Sequence, residues 1–299
     1  MSAPRLGFLG AGGLGRHRLR ALVEAGAEAA AICDPAPDAA ALAAAEAPGC
    51  AVVASLDQLL GLGLDGIVVA TPSALRAEQA IDALGGGVAV LCQAPLARTA
   101  AEARRVVEAA HEADRLLRVD LPLRHAAGVP ELRRRVQEGA LGRVQTAALA
   151  WHGALAPDPR RLRERARPGG GGVMELVLHL VDLALWVLGF PEVTAVPAVL
   201  RSGGGMEARA AVRLELSGGT SVRLSCSCGP HAGRGSVLDA AFRGTKGRVA
   251  LGDAGRAPHD CEAAVAWAEA LAHGARFDPA VASAVEVHAI LDRISGSER

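Results

Sequence analysis

LGFLGAGGLG, residues 6–15, decides the reading of this chain. Leu6-Gly7-Phe8-Leu9 has the short apolar run of a buried strand, and the segment after Gly15 carries a helical pattern through Glu24. Between them, Gly10-Ala11-Gly12-Gly13-Leu14-Gly15 spells G-x-G-x-x-G. In that context the first glycine permits a tight turn, the second lets a pyrophosphate approach the backbone, and the third lets helix and strand pack closely. The phosphates would rest on the N-terminus of the helix, where free N–H groups and the dipole favour anions.

Working outward, Ala29-Ala30-Ala31-Ile32-Cys33 reads as a second strand closed by Asp34, about 20 residues past the glycines. A carboxylate there accepts from ribose hydroxyls and repels a 2′-phosphate, so NAD is favoured over NADP. A helix N-cap role for Asp34, before Pro35, is the competing reading. The alternation continues with a capping box at Ser55–Gln58, a strand at 66–70 and a Thr71-Pro72-Ser73 turn. A helix follows from about Ala74 to Leu84, then a strand ending at Cys92, a second capping box at Thr99–Glu102, and a strand at 116–119. Strands alternating with helices predict a doubly wound parallel sheet of Rossmann type over residues 1–120. Ligands on such sheets sit outside the strand C-termini, where Asp34, Thr71-Pro72 and Gln93-Ala94-Pro95 fall.

From about residue 121 the pattern changes. The glycine-ended basic stretch PDPRRLRERARPGGGG (157–172) leads into VMELVLHLVDLALWVLGF, apolar on all sides and therefore a buried helix. Its ionisable residues Glu175, His179 and Asp182 fall within an arc of about 60° at about 100° per residue. Three such groups on one buried stripe point to a site, because burying them without partners is costly. The remainder predicts a mainly antiparallel open sheet, with strands near 193–200, 208–216, 221–227, 237–243 and 248–251, closed by helices near 260–272 and 280–293. Residues 121–299 thus read as a second, α+β domain, with a sheet of the kind that covers a pocket or forms a subunit interface.

Composition bounds the rest. The 299 residues carry zero formal net charge, 51% hydrophobic residues and no tyrosine. Zero charge argues against nucleic-acid binding by phosphate neutralisation. No signal peptide or membrane span is expected, and the six scattered cysteines fit reduced thiols in a cytoplasmic protein, with no metal site.

These segments together resemble the Gfo/Idh/MocA family. The resemblance is carried by GFLGAGGLG, DGIVVATPSALRAEQAIDAL, VAVLCQAPLA, GALGRV and GGGGVMELVLHLVDLALWVLG, in that order. It implies a nicotinamide-binding Rossmann domain, a C-terminal substrate-binding and oligomerisation domain with an open sheet, sugar or polyol substrates, and homodimers or homotetramers formed through that sheet. It implies an oxidoreductase acting on CH–OH or C=O groups. Cofactor contacts fall to Gly10, Gly12, Gly13, Leu14, Gly15, Asp34, Thr71, Pro72, Gln93 and Pro95. His179 resembles the family's catalytic acid/base, Glu175 stands at the usual aspartate, and Asp182 is expected to orient the histidine. The chain departs from the family at two further positions. Gln93-Ala94-Pro95 stands for Glu-Lys-Pro, and Arg76 stands for the histidine after the Thr-Pro turn. Losing the lysine removes a stabiliser of the developing alkoxide, worth about 3 kcal/mol. Arg76, Arg124 or an arginine of the 160–167 loop would supply the charge instead, or an imine substrate would need less help. The alternative is a catalytically impaired dinucleotide-binding protein acting as sensor or regulator.

Overall fold

The computed structural model describes residues 3–153, 172–202, 208–228, 237–251 and 261–296. The chain divides into two units, Met1–Leu121 with Asp260–Val285, and Pro122–His259 with Glu286–Arg299.

The first unit holds a six-stranded sheet in the order β3-β2-β1-β4-β5-β6. Its strands are β1 (Arg5–Leu9), β2 (Glu28–Cys33), β3 (Ala51–Val53), β4 (Gly66–Val69), β5 (Ala89–Gln93) and β6 (Leu117–Asp120), all paired in parallel. The order reverses at β1, so the glycine-rich turn after β1 sits at the switch point, where α/β sheets bind ligands. Side chains alternate across the sheet into two cores. On one face Leu9, Ile67, Val69, Val90 and Leu117 pack with α4 (Ser73–Gly85) and α5 (Ala100–Glu112). On the other, Leu6, Phe8, Val68 and Leu91 pack with α1 (Gly13–Glu24) and α2 (Pro37–Ala45). The short helix α3 (Leu56–Leu60) starts at the expected capping box, with Ser55 Oγ accepting from the Gln58 N–H. At α5, Thr99 caps in the same way.

Two elements of this unit escaped the sequence reading. Six of the nine residues of α2 are alanine, spread around the helix without a distinct apolar stripe, and β3 is three residues long. A third difference is long-range. The segment 260–285 clusters with the first unit, whereas a linear split places all of 121–299 in the second. The cause is α8 (Glu262–Ala272), whose fully buried Trp267 joins the core beside α1. A Cβ at Gly66 would lie 2.5 Å from the Trp267 ring, so that glycine makes room for the indole.

The second unit holds α6 (Val129–Gln137), α7 (Gly172–Leu188), the part of α9 (Ser283–Ser295) from Glu286 onward, and a mixed sheet ordered β13-β12-β7-β11-β10-β8. Its strands are β7 (Val144–Gly153), β8 (Val193–Ala195), β9 (Ala198–Ser202), β10 (Ala208–Leu216), β11 (Ser221–Cys228), β12 (Val237–Gly244) and β13 (Arg248–Leu251). The single strand expected over 193–200 is two, separated by a break that contains Pro197, which has no N–H for a ladder. All pairings are antiparallel except β7 with β11. One face of this sheet buries Leu149, Val212, Leu224, Leu238 and Phe242, and the opposite face is open.

Candidate functional site

In the first unit, Gly10 has φ +96°, and a Cβ there would meet the Ala70 backbone at 2.8 Å. A Cβ at Gly15 would stand 2.0 Å from the Gly10 carbonyl oxygen. These two glycines are demanded by the turn and by the approach of α1 to the strand. Gly12 and Gly13 differ: a Cβ at either meets nothing within 4 Å. The space in front of them is open, and α1 begins there with Gly12 as N-cap, no side-chain cap and no acidic residue in its first turn. Its N-terminal N–H groups therefore await an anion, as a pyrophosphate cradle requires.

Asp34, at the end of β2, is half-buried beside that turn. One carboxylate oxygen accepts from the Ala11 N–H at 2.7 Å and the other from the Ala36 N–H at 2.8 Å. The carboxylate thus ties the glycine-rich turn to β2 and also anchors the chain entering α2, while each oxygen keeps a further lone pair. Thr71 is buried, and its hydroxyl donates to Gln79 Oε1 at 2.5 Å.

Arg76 is not a free cation. It is buried, donating from Nε to the Thr71 carbonyl at 2.7 Å and from Nη1 to the Gln93 and Pro95 carbonyls at 3.2 and 2.9 Å. It staples the Thr71-Pro72 turn to the Gln93-Ala94-Pro95 turn, where the peptide before Pro95 is cis. Ala94 itself is fully buried. Neighbouring Cys92 is inert, because burial pushes its thiol up to about 12.

In the second unit, α7 carries Glu175, His179 and Asp182. Its start lies against the sheet, with Cys226 Sγ 3.8 Å from the Val173 carbonyl. His179 is buried, and its ring stands edge-on to Trp151 of β7 at 5.7 Å between centroids. Asp182, expected to orient the histidine, is paired with Arg124. Its oxygens accept from Arg124 Nε at 2.9 Å and Nη2 at 2.6 Å, a bidentate pair that leaves each oxygen a further lone pair. The Arg124 guanidinium also lies over Trp186 at 5.5 Å and Phe190 at 5.9 Å. Arg124 is therefore held in place with its charge matched by Asp182. Glu175 is partly exposed one turn before His179. The arginines of 160–167 lie outside the described residues.

Sequence reasoning missed a buried ion pair in the first unit. Arg18 of α1 donates to Asp120 Oδ2 at the end of β6, with Nε at 2.7 Å and Nη2 at 2.6 Å. A signal existed: Gly15, Arg18 and Leu22 share one buried helical stripe, so a charge stood on an apolar face. Among the described residues no cluster of three His, Cys, Asp or Glu could hold a metal, and no helix is long and apolar enough to cross a membrane.

Comparison with known proteins follows this geometry. Residues 5–121 match the oxidoreductase family with an NAD-binding Rossmann fold, and residues 129–250 match the GFO/IDH/MocA C-terminal domain. The chain is 31% identical to inositol 2-dehydrogenase 4 of Saccharopolyspora erythraea over 75% of this chain and 68% of that protein. It is 35% identical to the 1,5-anhydro-D-fructose reductase of Ensifer adhaerens over 52% of this chain and 47% of that protein. Across several such curated relatives the chain spans about half of their length. Levoglucosan dehydrogenase, solved in complex with NADH and levoglucosan, shares the fold at a TM-score of 0.83, 21% identity and coverage of 99% of this chain and 97% of that one. The chain carries an NAD-binding Rossmann domain and belongs to the Gfo/Idh/MocA oxidoreductase family.

Proposed function

We propose that the protein is an NAD-dependent oxidoreductase acting on a small sugar, polyol or related carbonyl compound. The observation that carries this reading is the cradle at the switch point: an uncapped helix N-terminus behind two glycines that face open space, with Asp34 beside it. NAD, when bound, supplies the acceptor for a hydride from an alcohol carbon. The N–H groups at Gly12, Gly13 and Leu14 hold the pyrophosphate, and Asp34 takes the ribose hydroxyls with its remaining lone pairs. Thr71, Pro72, Gln93 and Pro95 border the cofactor from the turns that Arg76 staples together. His179 removes the hydroxyl proton, for which imidazole has a suitable pKa range. Glu175 binds a substrate hydroxyl one helical turn away. The chain acts in the cytoplasm, a reading supported by Cys33, Cys50, Cys92, Cys226 and Cys261, none of which forms a disulfide among the described residues, and it assembles as a homo-oligomer.

The test is thermal unfolding with NADH, NADPH and neither. Ligand at 100 times its dissociation constant stabilises by about 2.7 kcal/mol. A larger shift with NADH supports the reading. A larger shift with NADPH overturns the ribose role of Asp34, and no shift at millimolar ligand overturns the cofactor. His179→Ala keeps the shift and loses turnover on a polyol and sugar panel by about 10²–10⁴-fold.

Three observations favour a second reading, a catalytically silent NAD-binding sensor. Ala94 replaces the family's lysine, Arg76 is spent on backbone carbonyls, and Arg124 is matched by Asp182. A robust NADH shift with no turnover on the full panel would select it.

A further inference from the structure

Aromatic residues are scarce in this chain, with three tryptophans, four phenylalanines and no tyrosine. Two of the tryptophans have structural duties. Trp267 is fully buried in the core of the first unit. Trp186 lies under two guanidinium groups, that of Arg133 at 4.4 Å and that of Arg124 at 5.5 Å from the ring centroid. Trp151 has a different setting. On the covered face of the second unit's sheet, β7 carries Ala147, Leu149 and Trp151 at alternate positions. Ala147 and Leu149 are buried, whereas Trp151 is partly exposed. In the ladder Trp151 stands between Cys226 of β11 and Leu238 of β12, both buried. The indole therefore sits where the covered face begins to open, and it does so beside His179.

The two rings meet at 66° with centroids 5.7 Å apart, so the imidazole does not lie flat on the indole and leaves area for another group. The face of an indole carries negative charge density, which attracts the polarised C–H bonds of a carbohydrate. Glu175, partly exposed, lies one helical turn before His179. The strand thus offers a flat apolar surface and α7 offers groups for hydroxyls, the combination that small-ligand pockets use. A saturated ring with its hydroxyls near the mean plane divides in the same way, into a polar rim and two C–H faces. Laid on the indole, such a ring turns one rim hydroxyl to His179 and another to Glu175. An open-chain polyol has no such face, and holding it flat freezes many rotors.

We propose that Trp151 is a specificity-determining residue: its indole receives the C–H face of a ring-form sugar or cyclitol while a rim hydroxyl meets His179. The proposal rests on the functional reading of His179 and names the side chain that selects the ring.

Saturation-transfer NMR of the full chain tests it, with scyllo-inositol and methyl β-D-glucopyranoside as ring probes and sorbitol as the open-chain probe. NADH is the cofactor in these samples, because it cannot accept a hydride and the alcohols stay unreacted. Irradiating the aromatic protons is expected to transfer saturation to the ring C–H protons and much less to sorbitol. Trp151→Leu is expected to weaken binding of the ring probes by about tenfold, the upper value of one aromatic contact, and to leave sorbitol unchanged. Trp151→Phe is expected to restore most of the loss. A parent chain that binds neither ring probe overturns the proposal, and so does a Leu variant that binds them as well as the parent. Equal losses for rings and sorbitol overturn it too, assigning Trp151 to the support of His179 alone. If Trp151→Leu fails to fold, the parent decides: transfer selective for the rings supports the proposal, and equal transfer to sorbitol overturns it. Replacing NADH by NAD separates the two readings. Ring-selective binding that depends on Trp151, without turnover, sinks the reaction alone. Turnover with ring selectivity intact in Trp151→Leu sinks this inference alone.

Discussion

In the first unit the sheet is covered on both faces, so Leu6, Ile67, Val90 and Leu117 are all fully buried and the strands read as continuous apolar runs. In the second unit β7 alternates buried Ala147 and Leu149 with exposed Thr146 and Ala148, and β10 alternates Val212 and Leu214 with exposed Arg213. The charges follow the same divide. Among the buried charges of the first unit, Arg18 meets Asp120 and Arg76 donates to backbone carbonyls, while the second unit also sets exposed arginines opposite one another on its open face. The difference teaches that burial on two sides obliges a charge to find hydrogen-bond partners within the chain, whereas one open side leaves charge to solvent.

The most damaging way to break the comparison is at Arg18. Arg18→Met leaves Asp120 buried without its cation and should cost about 3–5 kcal/mol in urea unfolding. Arg18→Met/Asp120→Leu should recover most of that, because Arg18 Nη1 and Asp120 Oδ1 lack hydrogen-bond partners among the described residues and the pair is no optimum. A single variant as stable as the parent would show that the first unit tolerates unpaired charge after all.

Next in size is Gly15→Ala. Its Cβ would collide with the Gly10 carbonyl oxygen, and overpacking of this kind costs about 1–3 kcal/mol. Gly12→Ala should leave the unfolding midpoint in place and shrink the NADH shift, since only ligand space is filled. Equal stability losses in both would erase the division of labour within the motif.

On the open face the sign should reverse. Arg223→Glu turns a like-charged pair with Arg213 into an attractive one and should stabilise by about 0.2–1 kcal/mol. A loss of stability would mean that Arg223 has a structural duty on the face.

The smallest effect concerns pH. Arg16 hydrogen-bonds Glu46 at 2.6 Å and Arg20 assists at 3.1 Å, which holds the Glu46 carboxyl below its usual 4.5. A folded pKa below the unfolded one means the contribution is complete above about pH 4.5 and disappears as pH falls through the folded value. Glu46→Gln should remove about 0.3 kcal/mol at pH 7 and flatten that acid limb. Thermal midpoints between pH 3 and 7 check it, and parallel curves for parent and variant would refute the linkage.

Local rules made much of the fold legible. The glycine turn, Asp34 at the end of β2 and both capping boxes depend on residues close in sequence, and the structure has them where the spacing puts them. The stripe of Glu175, His179 and Asp182 follows from helical geometry alone. The partner of Asp182 did not follow: Arg124 lies 58 residues away, and helical period says nothing about what faces a stripe. Likewise Arg76 was read as spare charge, although its guanidinium binds carbonyls from two different strand ends.

The sequence by itself determined the alternating strands and helices, the dinucleotide cradle and the polar stripe of α7, because each arises from a period or motif shorter than about 20 residues. Only the tertiary structure decided that α8 returns to cover the first sheet, that Arg18 meets Asp120, that Asp182 holds Arg124, and that three pairs of arginines stand opposed on one open face. Those outcomes depend on strand register and on which surfaces remain uncovered after the chain has folded. Both are set by burying apolar area across the whole molecule, and no local stretch encodes them.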